Sequence, residues 1–539
     1  MSYFLFNLDT YVRVMLILAL TLIFIYEIIN GFHDTANSVV SVIYTCALRP
    51  HNAVLISGVF NFLGVTLSGL SVAYTIVHLL PTYFFTNTSV NNTLAMIFSI
   101  LFAAILWNLG TWYLRLPTSS SHTLIGALIG IGFAHAIITN CPITHGLNIS
   151  KLIKIFLSLI ISPIIGLILA KLIMLILYKY CDYTGYDSIH TTPTKKLKTY
   201  GKSQPSLWTR TMLIISAAGV SFSHGANDGQ KGIGLIMLLL IGIAPASFML
   251  NLNSSNYDIA RTNHAINDFQ EYYIKHNNSF RNIVPSEIIS MPITRAFNQL
   301  KILFPSIEKS IQTIIYNDKH AACYNNNPIQ TDIQIKKIFH DFSLNLTMMH
   351  NISLLLNNLD DYKKLNTTQR LQIRQLLIYI VDILDQIIDL PETSHHDKYF
   401  LKNLKENLLY TIEYAPTCII FAVALSLSLG TIIGWKRVAI TIGEKIGTKE
   451  MTYAQGLSTQ LTTAISISTA SYVGMPVSTT HILSSSITGS MLTQNWKGIQ
   501  IKTIKNILIT WSLTFPVSIT LSGSFYWSTL KLLHKYIQI

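Results

Sequence analysis

Long apolar runs separated by short polar connections occupy most of the chain outside its middle. Crossing a hydrocarbon core of about 30 Å takes roughly 20 mostly apolar residues in a helix. Seven stretches meet or approach that length: Tyr11–Ile29, Ala53–Val77, Leu94–Tyr113, Leu152–Leu177, Met212–Ile243, Thr411–Gly434 and Ile504–Trp527. This pattern predicts an all-α integral membrane protein with about 10–12 membrane segments, some of them too short to be independent spans.

One polar insert interrupts this pattern, and it sets the predicted organisation. We predict five regions: 1–180 as a first membrane repeat, 181–210 as a basic cytoplasmic linker, 211–250 as the start of a second membrane repeat, 251–410 as a polar and partly helical insert, and 411–539 as the rest of the second repeat. Within the insert, Asp360–Leu390 has apolar residues at helical spacing and is expected to form an amphipathic helix.

Composition supports lipid as the main solvent. Half of the 539 residues are hydrophobic and only 12% are charged, whereas soluble domains are about a quarter charged. The insert holds 16 acids and 16 bases, so the other residues carry the whole formal charge of +13. These bases gather in short connections, as on the cytoplasmic side of membrane proteins. The charge therefore indicates topology and does not require a nucleic-acid partner.

Two polar motifs each occur twice. The sequence GFHDTANS from Gly31 resembles GANDGQKG from Gly225, and PTSSSH from Pro117 matches PVSTTH from Pro476. The offsets are 194 and 359 residues, and their difference of 165 is close to the length of the insert. Two duplicated halves, the second interrupted, explain both offsets. Duplicated membrane halves are typical of secondary transporters, whose site lies between the repeats.

The first motif places one acid in each half, at Asp34 and Asp228, within apolar sequence. A carboxylate inside a membrane is costly and usually faces a cavity, a partner or a proton path. Glycine and asparagine, such as Asn37 and Asn227, weaken a helix. We therefore expect helices broken at these motifs, with free ends near the bilayer centre.

The second motif supplies a run of hydroxyls in each half, followed by a histidine. Proline before each run suits the first turn of a helix, so the hydroxyls would surround a helix N-terminus and donate hydrogen bonds to an oxyanion. The apolar runs that follow, Leu124–Phe133 and Ile482–Leu492, suggest arms of re-entrant hairpins. Any single hydroxyl run could instead bond its own backbone, and His122 or His481 could simply be packed. Duplication in a consistent register favours a functional site.

At these motifs the chain resembles the PiT family of inorganic phosphate transporters, and within it the low-affinity bacterial branch. The matching stretches are residues 26–45, 108–132, 222–245 and 441–490. The resemblance as a whole covers nearly the whole chain, and the insert matches least. The resemblance implies two inverted repeats with broken helices and re-entrant hairpins, and a homodimer in the bacterial inner membrane. It also implies phosphate as substrate, with no resident cofactor and no catalytic activity.

The resemblance assigns candidate site residues by motif position. The substrate-binding candidates are Asn37, Ser119, Ser120, Ser121, Asn227, Asp228, Ser478, Thr479 and Thr480. The coupling candidates are His33, Asp34, Asp228 and Lys231 within the motifs, together with Glu27 and Glu413, two acids in apolar sequence that the repeat does not support. Sodium-coupled members carry GAND-x-x-Asn in both halves. In the first half of this chain His33 replaces the asparagine before the aspartate, and in the second half Lys231 replaces the final asparagine.

These departures lead to a hypothesis of proton coupling. A tethered ammonium can take the electrostatic role of a bound sodium ion, so Lys231 would neutralise the Asp34/Asp228 pair. The prediction is proton symport of phosphate, carried as a neutral complex with a divalent metal such as Mg²⁺. The alternatives are sodium coupling, another oxyanion as substrate, a regulatory role set by the insert, and a lipid-phosphate phosphatase. The last needs cationic clamps, and Arg115 is the only arginine near the motifs.

Overall fold

A computed structural model describes the helical parts of the chain. It describes residues 8–80, 89–140, 143, 146–184, 187–276, 342–357, 359–390, 393–433, 439–440, 446–448, 450–493 and 498–537. Within these residues the structure is all-α, apart from a single bridge between Gly447 and Ile499. The predicted all-α class is thus confirmed.

Seven helices precede the second copy of the first motif. They are α1 (Thr10–Tyr44), α2 (Pro50–Leu67), α3 (Ser71–Val77), α4 (Val90–Tyr113), α5 (Ser120–Thr139), α6 (Ile149–Thr184) and α7 (Pro193–Tyr200). A 3₁₀ turn, Asp187–His190, lies between α6 and α7.

The remaining helices follow, with one π-helical turn, Gly225–Gly229, between the first two. They are α8 (Leu207–His224), α9 (Gln230–Ile243), α10 (Pro245–Phe248), α11 (Asn256–Lys275), α12 (Phe342–Leu356), α13 (Thr367–Asp389), α14 (His395–Leu409), α15 (Thr417–Ile432), α16 (Tyr453–Tyr472), α17 (Thr479–Met491) and α18 (Ile501–Ile537).

Six helices among the described residues are long and apolar enough to cross a bilayer. They are α1, α2, α4, α5, α6 and α18, and α15 is a shorter apolar helix. This agrees with a multi-pass membrane protein. The total of 10–12 segments stays a prediction.

The two hairpin tips, α4–α5 and α16–α17, have the same backbone conformation although their sequences differ. Arg115 and Gly474, each two residues before the motif proline, both have left-handed φ, +58° and +76°. In each tip the next amide, that of Leu116 or Met475, donates to the carbonyl five residues back, which closes the preceding helix in a Schellman-type cap. Both tips therefore present their hydroxyl runs at the start of a helix.

Helices of the two halves pack reciprocally. Helix α5 packs on α18 as α17 packs on α6, and α1 packs on α15 as α8 packs on α2. At the α1–α15 crossing Gly31 lies against the Leu427 carbonyl, where a Cβ would clash. The long helices α6 and α18 each carry one internal proline, Pro163 and Pro516. Two repeats related by an inversion remain a prediction, and this exchange of partners is what they would produce.

The four helices α11–α14 pack around a separate hydrophobic core. Arg374 of α13 is buried, and its guanidinium donates to the carbonyls of Met249 (2.8 Å) and Ile412 (3.1 Å), where the chain enters and leaves this unit. The predicted amphipathic helix Asp360–Leu390 is present and begins at Thr367, after a 3₁₀ turn. The Asn-rich residues 277–341 lie outside the described residues.

Two local expectations need correction. Helix α1 runs without a break through Asp34, and the second motif forms a π-helical turn that joins α8 to α9 instead of interrupting them. Hydrogen bonding along the helix outweighs the weak helix propensity of glycine and asparagine here. The arm predicted at Leu124–Phe133 belongs to α5, which has 20 residues and is long enough to span. The other arm, in α17, has 13 residues.

Candidate functional site

Hydroxyl groups from both hairpin tips converge on Asp34. Ser120 Oγ donates to Oδ2 at 2.8 Å, and Thr480 Oγ1 donates to Oδ1 at 2.7 Å. One turn further along α1, the amide of Asn37 donates to Thr479 Oγ1 at 3.3 Å and to Thr480 Oγ1 at 3.1 Å. All five side chains are at most 2% exposed. The two hydroxyl runs, 359 residues apart in sequence, therefore meet at one carboxylate.

His33 connects Asp34 to a further pair of hydroxyls. Its Nδ1 lies 3.4 Å from Asp34 Oδ1, and its Nε2 lies 3.0 Å from Thr118 Oγ1. Thr118 in turn lies 2.9 Å from Thr111 Oγ1 in α4. His33, Thr118 and Thr111 therefore form a row of groups with exchangeable protons that leads from Asp34 to α4.

Asp228 has a different environment, because a lysine contacts it directly. Lys231 Nζ is 2.5 Å from Asp228 Oδ1 and also donates to Ser121 Oγ. Ser121 Oγ in turn donates a hydrogen bond to the Val477 carbonyl at the other hairpin tip, 2.6 Å away. Ser120 Oγ lies 3.5 Å from Asp228 Oδ2 and so links the two carboxylates. The predicted pairing of Lys231 is observed at Asp228 but not directly at Asp34.

Asn227 holds the second hairpin tip against the π-helical turn. Its Nδ2 donates to Ser471 Oγ at 3.0 Å and to the Met475 carbonyl at 3.2 Å, while its Oδ1 accepts from the Val477 amide at 3.3 Å. All three of these bonds serve the protein's own structure. Asn227 is therefore placed to position the hydroxyls in this structure, and its assignment to substrate remains a prediction.

The first hydroxyl of each run caps a helix. Ser119 Oγ accepts from the His122 amide, and Ser478 Oγ accepts from the His481 amide, both at 3.2 Å. A side chain used in this way satisfies the free N–H groups of the first turn. Within each run, the second and third residues are the ones that reach the carboxylates and their partners.

The two motif histidines pack against each other. The ring centroids of His122 and His481 are 4.3 Å apart with the rings tilted, His122 also contacts Phe515 of α18, and His481 stacks on Trp511 of the same helix. This arrangement agrees with the packing interpretation of these residues.

Glu27 is buried beside the cluster. Its side chain is 0% exposed and lies against Gly232, where an added Cβ would meet the carboxylate. Asp228 and Lys231 are its main charged neighbours. The structure thus brings Glu27 to the site, although the repeat gave it no support.

Glu413 lies elsewhere, before α15 begins and beside the helical insert. Its Oε1 is 3.0 Å from His78 Nε2 at the end of α3. Burial raises the pKa of the Glu413 carboxyl to about 7, against the opposing influence of the Lys151, Lys405 and Arg374 charges. Within the described residues, no hydrogen bond or ion pair joins Glu413 to Asp34 or Asp228, so the structure does not bring Glu413 to the site.

Sequence reasoning missed His224, the last residue of α8. Its Nε2 lies 3.4 Å from Asp228 Oδ2, and its Nδ1 lies 3.0 Å from Asn61 Oδ1 in α2. Asp34, His224 and Asp228 each offer a ligand atom, and these atoms lie within 4.8 Å of one another. His224 precedes Asp228 by four residues, the spacing that places two side chains on one helical face. No motif or spacing in the sequence indicated that Asn61 would contact this site.

The arrangement is suited to reversible binding of an anion beside a cation. Hydroxyls that now donate to Asp34 can turn to an oxyanion, and they add no full charge that would hold it permanently. Asp34, Asp228 and Lys231 together carry a net charge of −1, counting Glu27 and the histidines as neutral. Such a site can accept a cation together with an anion.

Comparison with known proteins identifies the family. The phosphate transporter family model matches residues 30–522. The chain belongs to the phosphate transporter family. It is 46% identical over 529 residues to the low-affinity inorganic phosphate transporter PitA of Escherichia coli (strain K12), covering 98% of this chain and 99% of PitA. A low-affinity inorganic phosphate transporter of Buchnera aphidicola subsp. Schizaphis graminum is 48% identical over 522 residues, 97% of each chain.

One solved structure, titled the sodium-dependent phosphate transporter, aligns with 96% of this chain and all of its own length, at 19% identity and a TM-score of 0.48. As a member of the phosphate transporter family, the chain is a multi-pass inorganic phosphate transporter and not an enzyme. The resemblance predicted from the duplicated motifs is confirmed.

Proposed function

We propose that this phosphate transporter takes up phosphate by proton symport, and that the cargo is a neutral complex of phosphate with a divalent metal. Alternating access would expose the Asp34–Asp228 cluster to each side in turn. The same resemblance supports a homodimer in the bacterial inner membrane.

The observation that carries the coupling proposal is the contact between Lys231 and Asp228. A fixed ammonium 2.5 Å from the carboxylate supplies the positive charge that a sodium ion would otherwise provide. Two sources of positive charge at one carboxylate oxygen would repel each other. Sodium binding at Asp228 Oδ1, the oxygen that Lys231 contacts, is therefore disfavoured in this chain.

The proposed proton carrier is His33, beside the other carboxylate, Asp34. His33 occupies the position of an asparagine in the sodium-coupled pattern and lies between Asp34 and Thr118. A histidine can take up and release a proton at either ring nitrogen. A proton arriving at His33 or Asp34 would weaken the hold of that carboxylate on its hydroxyl partners and free them for phosphate.

The hydroxyl set supports phosphate binding by donors without charge. Ser120, Thr479 and Thr480 lie within one hydrogen-bond network around Asp34 and Asn37. They come from the two hairpin tips, so a relative movement of the hairpins would open and close the set. Such a site can release its cargo on either side.

The test is uptake of radiolabelled phosphate into proteoliposomes under an imposed proton gradient, with and without sodium and magnesium. We expect uptake to follow the proton gradient, to ignore sodium and to rise with magnesium. Uptake that requires sodium would contradict the coupling proposal. Uptake that is indifferent to every divalent metal would contradict the proposed cargo.

A further inference from the structure

His224 presents a nitrogen to the cluster without a partner. The side chain is 1% exposed, and its Nε2 has no hydrogen-bond partner among the residues that the structure describes. The nearest charged atom is Asp228 Oδ2 at 3.4 Å. A buried polar atom normally has a hydrogen-bond partner, so this one requires a physical explanation.

A row of hydrogen bonds sets the tautomer of His224. Thr431 Oγ1 donates its single hydrogen to the Leu427 carbonyl at 2.9 Å, so it can only accept from Asn61 Nδ2, 2.8 Å away. That orients Asn61 Oδ1 towards His224 Nδ1 at 3.0 Å, and Nδ1 must donate to it. In neutral His224 the Nε2 atom therefore carries a lone pair.

A lone pair facing a carboxylate oxygen is repulsive unless a cation lies between them. Lys231 contacts Oδ1 of Asp228, which leaves Oδ2 turned towards His224. An imidazole whose other nitrogen donates to a carbonyl oxygen is the usual arrangement for a metal-ligating histidine. With Asp34, the ligand atoms of three side chains lie within 4.8 Å of one another.

We propose that Asp34, His224 and Asp228 bind the divalent cation of the cargo, with Asn61 as the positioning residue. This inference rests on the proposed function, because it assigns the site of the metal that accompanies phosphate. Binding a divalent cation changes the net charge of the cluster from −1 to +1. Phosphate would then be attracted to the metal and to hydroxyls released from Asp34.

The donor set also indicates which metals are preferred. Magnesium favours oxygen ligands, whereas an imidazole nitrogen suits zinc and cobalt. Two carboxylates and one imidazole therefore favour Zn²⁺ or Co²⁺ over Mg²⁺ at this site, while still accepting Mg²⁺ through the carboxylates. His224 is the residue that sets this preference.

The experiment compares phosphate uptake with Zn²⁺ and with Mg²⁺ in the same proteoliposomes, for wild type, His224→Gln and His224→Glu. The ratio of the two rates does not depend on how much protein is active. We expect His224→Gln to lower the Zn²⁺/Mg²⁺ ratio at least about tenfold. His224→Glu, with an oxygen donor, should raise uptake with Mg²⁺ above that of His224→Gln, a gain that misfolding cannot produce. His481→Gln removes a buried histidine outside the cluster and should leave the ratio unchanged.

A second readout is the visible spectrum of Co²⁺ bound to the purified wild-type protein and to His224→Gln. The d–d absorption of bound Co²⁺ should shift and lose intensity in His224→Gln, because an imidazole nitrogen is a stronger-field ligand than the oxygen donors that would replace it. Unchanged ratios and unchanged cobalt spectra in His224→Gln would overturn this assignment while leaving metal–phosphate uptake intact. Wild-type uptake that ignores all divalent metals would instead contradict the proposed function itself.

Discussion

Asp34 and Asp228 occupy equivalent places in the duplicated motif, yet their surroundings differ in charge. Asp34 accepts hydrogen bonds from Ser120 and Thr480, neutral groups that can rotate away. Asp228 is held by Lys231, a cation three residues along the same helical segment. The backbone differs as well, since α1 is unbroken at Asp34 while Asp228 lies in a π-helical turn. π-Helical turns often mark functional sites in helices.

This difference suggests a division of labour within one duplicated site. The hydroxyl partners of Asp34 come from the two hairpin tips, so they move whenever the hairpins move. The lysine partner of Asp228 lies three residues along the same helical segment and stays with it. We therefore assign proton exchange to Asp34, and to Asp228 a carboxylate whose Oδ1 stays paired with Lys231 while Oδ2 faces the cluster.

The largest expected effect is that of Asp228→Asn. It leaves the ammonium of Lys231 buried without its carboxylate, and breaking a buried ion pair costs about 3–5 kcal/mol. We expect loss of uptake together with a large drop in thermal stability in detergent. The double variant Asp228→Asn with Lys231→Met should recover most of the stability but not transport. Equal stability of the single variant and the wild type would contradict a strong pair.

Asp34→Asn should separate transport from stability more cleanly. Its partners are neutral, and an amide oxygen can still accept one of their hydrogen bonds, so the cost is about 1–3 kcal/mol. We expect accumulation of phosphate to be abolished while the protein remains folded by size-exclusion chromatography. A variant with wild-type uptake would remove Asp34 from the site.

The hydroxyl runs allow a comparison of adjacent serines. Ser120→Ala removes one hydrogen bond to a charged group and should raise the KM for phosphate about tenfold. Ser119→Ala removes a helix cap and should cost about 1 kcal/mol of stability, with little change in KM. Ser478→Ala is the matched cap in the other half and should behave like Ser119→Ala. Equal KM values for Ser119→Ala and Ser120→Ala would contradict this separation of roles.

Glu413 is a buried carboxylate that lies away from the cluster, so it provides a control for Asp34 and Asp228. We expect Glu413→Gln to change uptake about twofold at most. The raised pKa of Glu413 means that the folded protein binds this proton more tightly than the unfolded chain does. Its contribution to stability is therefore lost as the pH rises from about 4.5 to about 7. The glutamine variant should gain stability relative to wild type across that interval, as measured by thermal unfolding. Burial lowers the pKa of His78, so the contribution of His78 makes stability rise with pH and opposes that of Glu413. Because both proteins contain His78, comparing the variant with wild type cancels its contribution.

The sequence made the meeting of the motifs predictable, because duplication implies that equivalent segments face each other. The hydroxyl runs do converge on Asp34, and Lys231 does compensate an acid. Which acid it contacts depends on helix geometry, since residues three apart on one helix are neighbours and Asp228 is the closer partner. The same helix geometry would have predicted that His224 lies beside Asp228, because it precedes Asp228 by one turn.

Other features depend on packing that a single sequence does not reveal. The left-handed backbone at Arg115 gives no signal, because arginine rarely adopts it, whereas Gly474 in the other tip is an ordinary choice. The contact of His224 with Asn61 joins residues 163 positions apart, with no repeat to suggest it. The span prediction that included Glu413 was too long because the helix begins only at Thr417, after Pro416.

The central claim is that the ammonium of Lys231 takes the electrostatic role of a sodium ion, and Lys231→Asn tests it most directly. Phosphate uptake by the wild type and this variant should be measured in proteoliposomes under matched proton and sodium gradients. We predict that the variant, with asparagine restored at the last position of the motif, gains uptake that depends on sodium. Proton-driven uptake that is unchanged in the variant and indifferent to sodium would contradict the account.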